Sequence, residues 1–281
     1  MNLFEFYNKF DSEESCINYF KTFFENKISN CSKCGNDQLN WRTSFTGWRC
    51  SKCGKRYSLK SISFMRDSNL KYSEWLELIF LFLQGKKSKS ILEITRLSRL
   101  KRYDTVAYAI KKIRKELFFI NKEIPYSHKT IMNFSHDSDE LDINSIDTPG
   151  IPIEIELSFT RFTSTKNDLI SLSLCGDYLN KLRINQKEKF QQKTYRFKKL
   201  CYHQEINQSQ LSKENIGKEW YKKLKENLIK TIKGTYHNLQ LFHLQGILSE
   251  YSFRYNYRKK ENLKLSQFLS KSSFPKWQDC G

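Results

Sequence analysis

Two CxxC pairs place the hardest constraint on this chain. Cys31-Ser-Lys-Cys34 is followed, after fifteen residues, by Cys50-Ser-Lys-Cys53. Each pair can present two sulfurs from one tight turn, and two pairs at this separation form a four-thiolate site of the kind that holds Zn²⁺ in a tetrahedron. Four protein ligands leave no open position, so such a site is structural. Gly35 and Gly54 supply backbone freedom just past each pair. Two disulfides are the competing arrangement, and nothing in the chain points to secretion. Trp41, Arg42, Phe45, Trp48 and Arg49, then Lys55, Arg56 and Tyr57, interleave aromatic with basic residues. That pattern suits a small β-ribbon with a basic face over residues 30–60.

Charge bears on the partner. The formal net charge is +19 and the pI about 9.5, which favours a polyanion. Lys, Asn and Ile are abundant, as an AT-rich genome would dictate, so arginine is the better witness: its planar fork reads guanine and phosphate. Eight of the thirteen arginines lie between Arg42 and Arg114. Nucleic-acid contact is therefore expected in the N-terminal third, with Arg49 and Arg56 as candidates from the ribbon. Cys16, Cys175, Cys201 and Cys280 are scattered, which suits reduced thiols inside a cell, in the cytoplasm or nucleoid of a bacterium or the nucleus of a eukaryote. No signal peptide is visible, and the longest apolar run, Ile79 to Leu83, is too short to span a bilayer, so no membrane partner is expected.

In chain order, residues 1–29 read as a helical brace, capped near Asp11-Ser-Glu-Glu14, with Cys16, Ile17, Phe20 and Phe24 at helical spacing. A connector over 58–70 leads to three helices within 71–120. The first spans about 73–83 and the second 90–97. The third starts after Ser98-Arg-Leu-Lys-Arg102 and buries Val106, Ala109, Ile110, Ile113 and Leu117. This is the helix-turn-helix pattern, although a generic three-helix bundle shares its apolar spacing. The third helix would offer Arg102, Tyr103, Thr105 and Tyr108 to bases and Lys111, Lys112, Arg114 and Lys115 to phosphates.

Residues 121–150, acidic and closed by Pro149-Gly150, read as a linker. Beyond it, Ile151, Ile153, Ile155 and Leu157 alternate with polar residues as a strand. A second strand follows over 168–175 and a third over 178–184. Trp220, Leu224, Leu228 and Ile232 share one face of a helix that stops at Gly234, and residues 239–256 carry another helix. His237 and His243 lack accompanying ligands and read as structural. The tail, 263–281, looks frayed and basic. The fold class expected is multidomain α+β.

Four stretches resemble the ISXO-type insertion-sequence transposases, relatives of the Merlin transposons. They are Phe10 to Cys16; the ribbon with Arg56-Tyr-Ser-Leu and Ser73-Glu-Trp75; Tyr103-Asp-Thr-Val-Ala107 through Arg114; and Lys233-Gly-Thr-Tyr-His237 with His243-Leu-Gln245 and Glu250 through Asn256. The resemblance implies an RNase H-like α/β domain, here over 151–262. There two aspartates and a third Glu or Asn hold two Mg²⁺ ions for attack on a DNA phosphate. The first position falls on Glu156, one methylene longer than the family's aspartate. The second should precede Tyr195, and no aspartate stands there; Asp177 is the substitute to consider. The third falls on Asn227, with Glu226 beside it. The resemblance thus implies a protein that binds double-stranded DNA at element ends, as a homo-oligomer on DNA, with lost or weakened strand transfer. The alternatives are an active two-Mg²⁺ transposase and a zinc-ribbon transcription regulator.

Overall fold

The computed structural model describes residues 1–85, 87–126, 128–136, 153–160, 169–174, 200–201, 218–236 and 241–272. The helices are α1 (Leu3–Lys9), α2 (Glu13–Phe24), α3 (Tyr72–Leu83), α4 (Ile91–Leu97), α5 (Tyr103–Lys122), α6 (Lys218–Thr235), α7 (Leu241–Asn256) and α8 (Lys264–Lys271). The strands are β1 (Leu39–Arg42), β2 (Gly47–Cys50), β3 (Arg56–Ser58), β4 (His128–His136), β5 (Ile153–Phe159), β6 (Ile170–Leu174) and β7 (Leu200–Cys201). The class is α+β, with helices and two small antiparallel sheets. The chain divides into two units, the first made of 1–85, 91–120 and 259–281, the second of 86–90 and 121–258.

In the first unit, Ser12 caps α2 by accepting the Ser15 N–H. Glu13, one residue on, caps a different helix. Its two carboxylate oxygens accept the N–H groups of Tyr72 (2.7 Å) and Ser73 (3.0 Å), orphan donors at the start of α3. Helix α3 is buried at Tyr72 and from Trp75 to Leu83. Its Glu77 is 2% exposed, yet it accepts hydrogen bonds from the Tyr7 hydroxyl and from the Arg99 backbone N–H. That carboxylate fixes the turn between α4 and α5 against α1 and α3. The stretch expected as a connector, 58–70, is core: Leu59, Ile62, Phe64 and Met65 are buried.

The tail expected to be frayed instead forms α8 and completes this core. Leu265, Phe268 and Leu269 are buried, and the Phe64 ring meets those of Trp75 and Phe268 edge-on, at 5.6 and 5.2 Å. Lys27 Nζ donates to the carbonyls of Leu269 (2.8 Å) and Ser272, closing the C-terminal end of α8. Residues 273–281 lie outside the described residues.

The second unit is built on a four-stranded sheet in the order β6-β5-β4-β7. Strand β4 comes from the segment expected as a linker. It runs antiparallel to β5 over seven residue pairs, from His128↔Phe159 to Phe134↔Ile153. Residues 137–150, and the strand expected over 178–184, lie outside the described residues. The alternation of β5 and β6 turns Ile155, Leu157, Phe159, Ile170, Leu172 and Leu174 to one face, where Tyr221, Leu224, Leu228 and Ile232 of α6 and Leu244, Ile247 and Leu248 of α7 cover them.

Candidate functional site

The four cysteines of the two CxxC pairs converge, with every sulfur within 4.8 Å of the others. Both knuckles are built alike. Gly35 N–H bonds the Cys31 carbonyl and Gly54 N–H the Cys50 carbonyl, at φ of 71° and 72°. Left-handed backbone there favours glycine, as the sequence supplies. The thiols are free. Sulfur contacts across the two knuckles are 3.5 Å (Cys31–Cys53) and 3.6 Å (Cys34–Cys50). A tetrahedron with Zn–S bonds of about 2.3 Å has edges of about 3.8 Å, so the donor set fits an ion such as zinc.

The electrostatics of the cluster call for a cation. A hydrogen bond from the Tyr57 hydroxyl, 3.3 Å from Cys31 Sγ, holds the Cys31 thiol down at about 5. The Cys53 backbone N–H lowers Cys50. Cys34 goes the other way: the Asn36 N–H lowers it, but burial and the sulfurs of Cys53, Cys50 and Cys31 push it up to about 11. Close thiolates cannot all ionise without a positive ion among them. Tyr57, expected only as part of the ribbon, thus donates a hydrogen bond to one of the clustered sulfurs.

The ribbon has two chemically distinct faces. Register pairs Trp41 with Trp48 and Trp48 with Tyr57, so these aromatics share one side. On the other side Asn40 faces Arg49, Arg49 faces Arg56, and Arg42 lies two residues along from Asn40. Arg42, Arg49 and Arg56 are all exposed, and none forms an ion pair among the described residues. Directly opposed like charges cost stability in a sheet. Arg42 belongs with the two expected arginines, a grouping that strand pairing reveals.

Helix α5 buries Val106, Ala109, Ile110, Ile113 and Leu117 and leaves Arg102, Tyr103, Tyr108 and Lys111 exposed, with Thr105 half-buried. Lys112 is half-buried. Its Nζ donates to the Arg66 carbonyl and lies 4.8 Å from the centre of the Tyr108 ring. Arg114 departs from expectation: it is buried, its guanidinium 5.6 Å from the Phe82 ring centre.

Glu156, Glu226 and Asn227 do not come together. Alternation on β5 turns Glu156 to the sheet face opposite the one α6 covers. There it pairs with Lys129 at 3.3 Å and accepts the Ser158 hydroxyl at 3.3 Å. Asn227 is exposed on α6 and Glu226 half-buried. Asp177 lies outside the described residues, as does His237; His243 is exposed on α7. The segment 245–256 does have defined work. Gln245 Oε1 accepts the Leu174 N–H, Ser252 Oγ the Leu172 N–H and Asn256 Oδ1 the Ile170 N–H, so α7 satisfies the outer edge of β6. Glu250 and Arg254 form a buried pair at 3.0 Å, joined by the Tyr236 hydroxyl.

Among the described residues, no helix is long and apolar enough to cross a membrane. The chain matches no protein-family model, no curated protein and no solved structure.

Proposed function

We propose that this chain is a zinc-stabilised protein that binds double-stranded DNA, derived from a transposase and directed to element ends, with strand-transfer activity lost or weakened. One observation carries the reading. At the start of α5 the apolar stripe is fully inward while Arg102, Tyr103, Tyr108 and Lys111 stand in solvent. A recognition helix in a helix-turn-helix needs that arrangement: base-reading groups at its first turns, lysines further along for phosphates. The turn ahead of it is held by Glu77, which keeps the helix end rigid. The exposed arginines of the ribbon add a second basic face, with no ion pair to them among the described residues.

Zinc is the metal assigned to the cysteine cluster, since four thiolates select a soft tetrahedral ion. When bound, it cross-links the two knuckles and does no chemistry on DNA. The lesion in strand transfer is supported by Glu156, which pairs with the Lys129 ammonium rather than sitting beside a metal-sharing carboxylate.

The test is duplex binding by the full-length chain across a salt series. Affinity should fall steeply with salt, as counterion release requires. Arg102→Ala should erode discrimination between sequences more than Lys111→Ala, which should weaken all duplexes alike. Equal affinity of wild type and Arg102→Ala for every duplex would remove α5 from the interface.

A further inference from the structure

Beside the ribbon, a cleft of about 500 Å³ opens onto the start of β3 and the loop after it. Lys27, Lys55, Arg56 and Arg66 line it together with Ser29 and Ser61, and no Asp or Glu does. Two of the cations are pinned rather than waving: Lys55 Nζ donates to Ser32 Oγ at 2.7 Å, and Lys27 Nζ to the carbonyls at the end of α8. Arg66 also pairs with the exposed Asp67 at 3.6 Å, which leaves the wall with an excess of positive charge, and a concave basic wall focuses positive potential. Guanidinium, ammonium and hydroxyl donors together suit a group with several anionic oxygens. The cleft also borders the exposed side of α5, because the backbone of Arg66 accepts the Lys112 ammonium that lies against Tyr108.

We propose that this cleft grips a backbone phosphate of the duplex that α5 contacts, so that ribbon and α5 hold one DNA molecule together. This rests on the DNA-binding reading above. The ribbon is then part of the DNA footprint as well as a metal-held brace. Binding through the cleft adds affinity without sequence preference, since a phosphate carries no base information.

The experiment uses full-length protein carrying Lys55→Ala and Arg66→Ala together, with duplex binding followed by anisotropy from about 50 to 200 mM salt. The expected result is a salt slope shallower by about one, for the one phosphate the cleft neutralises, with equal loss on all duplexes. Ser61→Glu, which sets a carboxylate at an exposed cleft position, should also weaken every duplex. If both variants bind like wild type while Arg102→Ala still weakens binding, the cleft proposal falls and the DNA reading stands. A wild-type chain that binds no duplex overturns both. Inorganic phosphate, titrated by calorimetry, separates the sources. Phosphate binding that the double variant abolishes, with DNA binding unchanged, assigns the cleft to free phosphate and overturns the proposal.

Discussion

Asn256 closes a two-way hydrogen bond with the backbone of Ile170: its Oδ1 accepts the Ile170 N–H at 2.8 Å, and its Nδ2 donates to the Ile170 carbonyl at 2.9 Å. Among the described residues no strand pairs with β6 on this side, and the side-chain amide takes that place. Asn256→Ala leaves the Ile170 N–H without that partner, at a cost of about 1–3 kcal/mol, while the Ile170 carbonyl keeps the Tyr126 hydroxyl at 3.1 Å. Urea unfolding should show a loss in that range or above. Asn256→Asp keeps the acceptor but sets a carboxylate against the Ile170 carbonyl, so it should not restore stability.

The cysteine cluster should bring about one metal ion per chain, read by elemental analysis. Cys50→Ser should abolish it and unfold residues 30–57, because metal binding and local folding are one equilibrium. Tyr57→Phe is the finer probe. It removes the hydroxyl that donates to Cys31 Sγ but keeps the ring, so metal affinity should drop by about 10–100-fold while the ribbon still folds.

Acid should weaken the first unit through Glu13. Burial alone would raise this carboxyl, but the hydrogen bonds from Ser73 and Tyr72 outweigh it and hold it below its ordinary value. A depressed folded value means stability that is complete above the unfolded value, near 4.3, and lost as pH falls through the folded one. Stability curves below pH 5 should therefore be less steep for Glu13→Gln than for wild type. Identical curves would detach Glu13 from the acid response.

Helix α8 makes the first unit depend on the far end of the chain. Phe268→Ala opens a hole beside Phe64 and should cost about 3–5 kcal/mol. A fragment ending at residue 120 should be much less stable than the intact chain, since it bares Phe64 and leaves Lys27 without the carbonyls of Leu269 and Ser272. Hydrogen exchange over 59–65 is the sensitive readout.

No Mg²⁺- or Mn²⁺-dependent nicking or joining is expected on DNA that the protein binds well. Two divalent ions need compact carboxylates close together, and the structure sets Glu156 beside Lys129 on the face turned from Asn227. Metal-dependent cleavage at element ends that Glu156→Ala abolishes would restore the active-enzyme reading.

Local pattern was enough for much of this protein. Helical spacing locates α2, α3, α5, α6 and α7, because an apolar stripe at 3.6-residue period is written in one short window. The CxxC spacing likewise locates the metal ligands, since each knuckle is a single turn whose geometry its own glycine permits. Tertiary structure decided what depends on partners distant in sequence. Helix α8 is only eight residues long, and its stripe means little until Phe64, some two hundred residues earlier, meets Phe268. Strand β4 reads as part of a polar linker until β5 supplies its hydrogen-bond partners. Arg114 looks like its lysine neighbours in sequence, but its place on α5 turns it inward over Phe82. The same holds for Gln245, Ser252 and Asn256. They stand out only as part of a resemblance, yet each bonds one backbone N–H of β6, because an edge strand must find its missing partners somewhere in the fold.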